Sequence, residues 1–169
     1  MVEKKLASRK DLRLKEYNYS ENGCYFLTIC TVNRKKLLSV VVGGDDLGAP
    51  KSISLKPFGC ITEKYITTID TAYKNVKIEN YIIMPNHIHL LIMIDNYGTP
   101  GSSSPTISTV IAALKRLTNK ECKYKLWQRS FYDHVIRSQI EYENAWEYIE
   151  YNALKEYGNT NKNNINTLE

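Results

Sequence analysis

The chain has 169 residues and a formal net charge of +5, from 23 Lys and Arg against 18 Asp and Glu. Its 43% hydrophobic and 24% charged residues are ordinary for one globular domain with short extensions, which excludes wholesale disorder and collagen-like or low-complexity chains. No segment approaches the roughly 20 apolar residues of a membrane-spanning helix, and the first residues lack the apolar stretch of a secretory signal. We therefore expect a cytoplasmic protein without membrane contact.

Basic residues are concentrated in two regions of the chain. Residues 1–38 contain nine Lys and Arg against four Asp and Glu, and residues 115–137 contain seven against two. Two such regions suit a polyanionic partner if folding brings them together, although solvated surfaces explain the excess equally well. The four cysteines form no Cys-x-x-Cys pair, which disfavours a zinc finger; Cys24 and Cys30 are expected to be buried in a reducing compartment.

The hydrophobic pattern predicts strands and helices in alternation. After a basic amino-terminal arm (1–22), we predict strands over 23–32, 37–42, 76–84, 87–94 and 131–137. Predicted helices cover 59–73, 107–120 and 140–157, with loops over 43–50 and 96–106. Gly158 is expected to stop the last helix before a polar tail over 159–169, so the domain itself spans 23–158.

This order of elements predicts an α+β fold of the split βαβ type, ferredoxin-like or RRM-like. Such a fold has an antiparallel sheet with helices on one face, here followed by a carboxy-terminal helix. Because this fold supports many functions, function has to be argued from the site.

The segment MPNHIHLLIMI carries the strongest chemical signal. His87 and His89 are two residues apart on a predicted strand, so both imidazoles point to one face while Ile88 points to the core. Two neighbouring imidazoles on a rigid strand can bind one divalent metal ion. A solvent-facing pair of histidines is the ordinary explanation of this spacing. The metal site is favoured because two of the chain's three histidines occur together directly after a Pro-Asn turn.

The last predicted helix offers further site residues. Tyr148 and Asn152 are four residues apart and share a face, beside a predicted core stripe of Trp146, Ile149 and Ala153. A phenol and an amide oxygen one turn apart could meet a metal ion and a phosphate together. Imidazole and amide ligands without a thiolate favour Mg²⁺ or Mn²⁺ over a structural zinc ion. An ordinary amphipathic tyrosine is the alternative interpretation of Tyr148.

Four motifs occur in the order LKEYNYSENGCYFLTICT, MPNHIHLL, WQRSFYDHVIR and EYIEYNALK. Together they resemble the single-tyrosine HUH transposases of bacterial insertion sequences, in the branch related to REP-associated tyrosine transposases. HUH denotes histidine, bulky hydrophobe, histidine, which here is His87-Ile88-His89. The resemblance covers residues 12–157.

The resemblance implies a reaction and roles for four residues. Tyr148 would attack a phosphate of single-stranded DNA and form a 5′-phosphotyrosine, while Asn152 would join His87 and His89 around a Mg²⁺ or Mn²⁺ ion. It also implies a DNA hairpin next to the cleavage site, and it leaves a monomer and a homodimer open. Related sequences commonly have proline after this asparagine, whereas Ala153 stands here. That departure concerns the helix end rather than the metal ligand.

Further residues are predicted to contact DNA or support the fold. His134, in the motif YDHVIR, is expected to be structural or DNA-contacting rather than catalytic. Solvation alone is expected to explain about half of the basic candidates. The candidates for phosphate binding are Arg34, Lys35, Lys36, Lys115, Arg116, Arg129 and Arg137.

Two other functions stay open at this point. A domesticated, non-catalytic protein on the same scaffold would bind single-stranded nucleic acid by stacking bases on sheet aromatics. The intact set of two histidines, a tyrosine and an asparagine argues against it. A replication initiator or relaxase is disfavoured because the chain is short and the tyrosine follows the histidines.

Overall fold

A computed structural model describes residues 22–43, 52–96 and 105–164, with side chains described as far as Tyr151. Most of the predicted arm lies outside these ranges, and so do most of the predicted loops over 43–50 and 96–106. The last five residues of the tail also lie outside them. The strands are β1 (Gly23–Cys30), β2 (Ser39–Val42), β3 (Ser52–Leu55), β4 (Val76–Ile83), β5 (His87–Ile94) and β6 (Tyr132–Ile136). The α-helices are α1 (Pro57–Thr67), α2 (Ile69–Ala72), α3 (Ile107–Cys122) and α4 (Gln139–Asn164).

Four strands form one antiparallel sheet in the order β4-β5-β1-β6, with β1 between β5 and β6. This order, with α1 and α3 in the two crossovers, confirms the predicted α+β fold of the split βαβ type. β2 and β3 form a separate two-stranded antiparallel ribbon. β3 was not predicted: its residues alternate between serine and an aliphatic side chain, but only over four positions, which is the shortest run that indicates a strand.

The two faces of the sheet bury different sets of side chains, because successive residues of a strand point to opposite faces. One face belongs to the main core, where strand residues such as Leu27 and Ile88 pack with α3 residues such as Val110. On the opposite face, Ala145 and Ile149 of α4 form a smaller cluster with the sheet. α4 therefore covers the face on which His87 and His89 lie.

The carboxy-terminal helix differs from the prediction in two respects. Trp146 was predicted in the core stripe but is 36% exposed, whereas Ala145 is 9% exposed. The Trp146 ring packs on Tyr142 one turn earlier, with ring centroids 6.0 Å apart, so it covers the rim of the contact instead of its centre. Gly158 does not end the helix, since the helical backbone runs to Asn164. One interior glycine costs a helix only about 1 kcal/mol.

The start of α4 is tied to the end of β6 by a cluster of hydrogen bonds. The Ser138 hydroxyl accepts from the backbone N–H of Glu141 at 3.2 Å, and the Glu141 carboxylate accepts from the N–H of Arg137 at 2.8 Å. These contacts satisfy N–H groups at the helix start as in a capping box. The same carboxylate lies 3.5 Å from His134 Nε2, which gives His134 a structural contact. None of the described helices has the length and apolar character needed to cross a membrane.

Gly59 in α1 lies against the backbone of Leu38, so a side chain at this position has no room. A Cβ atom there would lie 2.0 Å from the Leu38 carbonyl oxygen, which accepts a hydrogen bond from the N–H of Lys56 at 2.8 Å. We predict that Gly59→Ala lowers the free energy of unfolding by about 3 kcal/mol, measured by urea denaturation. Cys60→Ala, at the exposed neighbouring position, is the matched control and should unfold like the parent protein. Equal stability of Gly59→Ala and the parent would contradict this account.

Candidate active site

The two histidines of β5 direct one nitrogen each at a common point. His87 Nε2 and His89 Nε2 are 3.0 Å apart, and the two rings meet edge to face with centroids 4.6 Å apart. Two cis ligands about 2.1 Å from an octahedral ion are separated by about 3.0 Å. The distance between the two nitrogens therefore fits a pair of ligands to one divalent cation.

The other nitrogen of each imidazole is held by a side chain that sequence reasoning did not single out. His87 Nδ1 lies 2.6 Å from Asn86 Oδ1, and His89 Nδ1 lies 2.9 Å from Thr28 Oγ1. Thr28 sits directly opposite His89 in the pairing of β1 with β5. Such partners orient metal-binding histidines. The segment MPNHIH contains a signal for Asn86, but the partnership with Thr28 follows only from strand register.

Burial keeps both imidazoles neutral. It lowers the pKa of His87 to about 4, with a smaller contribution from the nearby positive charge of Arg34. It lowers the pKa of His89 to about 3, with His87 as the next cause. Near pH 7 each ring therefore has one nitrogen lone pair with which to bind a cation. Arg34 itself is exposed and places a positive charge near the pair.

Tyr148 lies beside His89 of the same chain. The ring centroids are 5.2 Å apart, with the rings at 77° to each other. Phe26 of β1 packs against both rings: it stacks on His89 at 5.1 Å and meets Tyr148 edge to face at 5.7 Å. Tyr148 is 39% exposed, so its ring is accessible from solvent. The structure thus places Tyr148 beside His89, which is itself in contact with His87.

Side-chain contacts anchor α4 on its own sheet on either side of Tyr148. The Tyr142 hydroxyl donates to the Glu79 carboxylate at 3.3 Å, and the Asn80 amide donates to Glu150 at 3.1 Å. Among the side chains of this helix that the structure describes, Tyr142 and Tyr151 are the other tyrosines to consider as nucleophiles. The hydrogen bond to Glu79 gives Tyr142 a structural role, and Tyr151 is 53% exposed.

The third predicted metal ligand is Asn152 of α4. Within the described ranges, no group of three or more His, Cys, Asp or Glu side chains is placed to hold a metal ion. Cys30 pairs with His87 across the strands but is not part of such a group. Asn152 lies one helical turn after Tyr148, with its side chain outside the described part, so its ligand role stays a prediction.

Lys115 differs from the other basic candidates because its ammonium group holds a loop. Its Nζ donates to the backbone carbonyls of Gln128, Arg129 and Ser130 at 2.9, 3.3 and 2.9 Å. Burial lowers its pKa to about 8. The group can donate three hydrogen bonds, and these three carbonyls accept them. Phosphate binding by Arg34, Lys35, Lys36, Arg116, Arg129 and Arg137, whose side chains are exposed, stays a prediction.

A shallow, widely open surface depression at the end of α3 concentrates positive charge. We call it the basic groove; it has a volume of about 700 Å³ and is lined by Arg116, Asn119, Lys120, Lys123, Tyr124 and Lys125. The chain continues from this groove to the end of β1, where the N–H of Gln128 donates to the Cys30 carbonyl at 2.9 Å. Since Cys30 pairs with His87, the groove and the histidines lie at the same end of the sheet. Of the groove cations, only Arg116 was predicted.

The similarity to known proteins extends over most of the chain, although no protein-family model matches the sequence. An uncharacterized protein of Haemophilus influenzae is 27% identical over 166 residues, which cover 86% of this chain and 88% of that protein. Another protein of that organism, named "Putative REP-associated tyrosine transposase", is 28% identical over 160 residues, which cover 82% of this chain and 74% of that protein.

Among solved structures, a REP-associated tyrosine transposase bound to a REP hairpin superimposes with a TM-score of 0.58. It is 20% identical, and the match covers 85% of this chain and 74% of that one. The chain resembles REP-associated tyrosine transposases in sequence and in fold. This confirms the resemblance read from the four motifs and supports a DNA-processing protein of the transposase kind.

Acid should destabilise the metal-free protein through the buried histidine pair. Both pKa values lie below the ordinary 6.5, so between pH 6.5 and 4 the unfolded chain binds protons that the folded chain does not. The free energy of unfolding should fall as the pH falls through this window, by about 2 kcal/mol for each histidine at pH 5.

Urea denaturation at pH 7.5 and pH 5, with a chelator present, measures this loss. The double variant His87→Gln and His89→Gln is the control, because it keeps the carboxylates that also titrate. The parent protein should lose several kcal/mol more than the control, and the same loss in both proteins would show that the pair does not cause it.

Proposed function

We propose that this protein is a transposase that cleaves and rejoins single-stranded DNA, with Tyr148 as the nucleophile. One observation carries the proposal: the Tyr148 ring lies 5.2 Å from the ring of His89, whose Nε2 lies 3.0 Å from that of His87. This juxtaposition puts a phenol beside two neutral imidazoles that converge on one point. Phosphoryl transfer needs a nucleophile and a cation site on the same phosphate. The resemblance to REP-associated tyrosine transposases supports this choice.

The proposed reaction exchanges one phosphate ester for another. The Tyr148 oxygen forms a bond to phosphorus while the bond from phosphorus to the 3′-oxygen breaks, so the 5′ phosphate remains on tyrosine and a 3′-hydroxyl is released. The proton of the phenol leaves as the new bond forms, and the released 3′-oxygen takes up a proton from solvent. A later attack by a 3′-hydroxyl on the phosphotyrosine rejoins the strand and restores the phenol. No high-energy cofactor is needed, since each step preserves one phosphodiester-type bond.

Different residues of the chain serve different parts of the proposed reaction. A Mg²⁺ or Mn²⁺ ion bound by His87, His89 and Asn152 would polarise a phosphate oxygen. Phe26 keeps the ring of Tyr148 and the ring of His89 in contact. Because α4 is anchored on its own sheet, the proposed site forms within one chain and needs no second copy.

The proposed substrate is single-stranded DNA next to a hairpin. The solved relative was bound to a REP hairpin, and we propose that a hairpin stem is also recognised by this chain. Arg116, Lys120, Lys123 and Lys125 of the basic groove offer four positive charges for the phosphates of such a stem. The groove and the histidines lie at the same end of the sheet, with α3 and α4 on its opposite faces, so we propose that the stem binds in the groove and that its single-stranded flank passes around this end to Tyr148. In the cell, the protein would then act at the nucleoid.

A test of the nucleophile compares Tyr148→Phe with Tyr151→Phe. We predict that Tyr148→Phe lowers the yield of covalent protein–DNA adduct by about a thousandfold or more, because the attacking oxygen is gone. Binding of the same DNA should change less than about twofold, since the ring and its contacts remain. The adduct is measured on denaturing gels after incubation with Mn²⁺ and 3′-labelled single-stranded oligonucleotides that contain hairpins.

Tyr151→Phe is the matched control, because Tyr151 lies three residues later on the same helix and is 53% exposed. This control should form adduct like the parent. Undiminished adduct with Tyr148→Phe would rule out the assigned nucleophile. Binding of hairpin DNA by the parent protein with no adduct under any metal condition would favour a non-catalytic binding protein.

A test of the basic groove compares Lys120→Glu with Lys74→Glu. Lys120 lines the groove, whereas Lys74 is exposed near Val76, at the end of the sheet opposite His87. We predict that Lys120→Glu weakens hairpin binding several-fold and lowers the salt dependence of log K by about 0.9, the value for one phosphate contact. Lys74→Glu should leave both quantities close to those of the parent. Binding is measured by fluorescence anisotropy at several salt concentrations, and equal behaviour of the two variants would contradict the assignment.

A further inference from the structure

We infer that Tyr132 of β6 stacks on an unpaired base of the single strand, next to the phosphate that Tyr148 attacks. The stack forms on a part of the sheet that α4 leaves uncovered, directly beside the histidines. The inference deepens the proposed function and rests on it for the identity of the substrate. It names the surface along which the single strand leaves the site.

One half of the sheet face that carries the histidines is open. α4 packs on β4 and β5 and is anchored there by its hydrogen bonds to β4. β6 is the edge strand on the other side of the sheet, where Tyr132 is 48% exposed and the His134 side chain 63%. We call this surface the open face: it consists of Thr28 of β1 with Tyr132 and His134 of β6. Phe26 forms its border with Tyr148.

Strand register places Tyr132 in one row with His89. Thr28 pairs with His89 on one side and with Tyr132 on the other. Directly paired residues point to the same face of a sheet, so all three side chains share the face of the site. His89 and Tyr132 are two strand spacings apart, which is about 10 Å. A nucleotide next to a phosphate held at the histidines therefore lies within reach of the Tyr132 ring.

The Tyr132 side chain is available for a ligand. Within the described ranges, its hydroxyl makes no hydrogen bond and its ring packs on no other aromatic ring. By contrast, the hydroxyls of Tyr65 and Tyr142 bond to carboxylates. A half-exposed ring on an edge strand presents a flat apolar surface to water, and a stacked base would cover it.

The charges around the open face suit a nucleic acid strand. Arg129 precedes β6 and Arg137 follows it, and both side chains are exposed. The carboxylate of Glu141, at the far end of the open face, is paired with His134. A ring that stacks on a base, with cations nearby that bind phosphates, is the arrangement with which proteins bind single strands. A duplex does not suit this surface, because its bases stack on one another and offer no free face.

Binding of hairpins with and without single-stranded flanks tests the inference. The flanked hairpin carries a single strand on both sides of the stem, and a chelator prevents cleavage, so fluorescence anisotropy measures binding alone. Tyr132→Thr removes the ring but keeps a β-branched side chain suited to a strand. We predict that this variant binds the flanked hairpin about 5- to 100-fold more weakly, the range for loss of one stacked base. Its binding of the hairpin without flanks should stay within about twofold of the parent.

Two further variants and a modified flank separate stacking from other roles of Tyr132. Tyr132→Phe keeps the ring and should bind the flanked hairpin like the parent. Tyr151→Thr is the matched control, because Tyr151 is also an exposed tyrosine but lies on α4, away from the open face. A flank of abasic nucleotides keeps the phosphates without the bases. The parent and Tyr132→Thr should therefore bind it equally.

Equal binding of the flanked hairpin by Tyr132→Thr and the parent would overturn the inference. An equal loss on the abasic flank would also overturn it, since no base is then involved. If Tyr132→Thr does not fold, photocrosslinking of the parent protein to flanks that contain 5-iodouracil decides the question. Crosslinks to Tyr132 would support the stack, and crosslinks confined to residues outside the open face would overturn it.

Failure of this inference and failure of the proposed function give different results. Base-dependent loss of flank binding in Tyr132→Thr, with no covalent adduct from the parent under any metal condition, would refute the proposed cleavage and support the stack. Adduct formation through Tyr148 with unchanged flank binding by Tyr132→Thr would support the proposed function and overturn the inference.

Discussion

The antiparallel register between β1 and β5 is the constraint on which the site depends. It places Thr28 opposite His89, so a hydroxyl from one strand meets the imidazole of the next. A slip of one residue would turn both imidazoles into the main core and bring Ile88 to the α4 face, because side chains alternate along a strand. Ile88 and Leu27 are fully buried on the core face, and their burial opposes that slip.

Because α4 packs on the second face of the sheet, the two histidines are buried and stay uncharged. The helix packs Ala145 and Ile149 against the strands and carries Tyr148 to the side of His89. The resulting burial holds the pKa values of both histidines well below neutrality, so protons do not compete with a cation at pH 7. The positive charges lie instead on the exposed surface, at Arg34 and in the basic groove.

The local pattern of the sequence predicted secondary structure correctly where one physical rule dominated. The bounds of β5 agree with the prediction because an apolar run after a Pro-Asn turn has clear limits. The pattern predicted wrongly where two arrangements of the chain differ little in free energy. Trp146 can lie in the core or at the rim of the contact between α4 and the sheet. The helix can continue through Gly158 because one interior glycine costs little. Lys115 shows a third case, since three carbonyls that accept from its ammonium belong to a loop 13 to 15 residues away.

By itself, the sequence determined that His87 and His89 share one face of a strand and that Tyr148 lies one helical turn before Asn152. Both follow from the repeat of a single element, two residues in a strand and 3.6 in a helix. Only the tertiary structure decided that Tyr148 meets His89 of its own chain and that Thr28, 61 residues from His89, holds its ring. The reason is physical: strand register and helix packing join distant segments, and these are set by burial of the whole core.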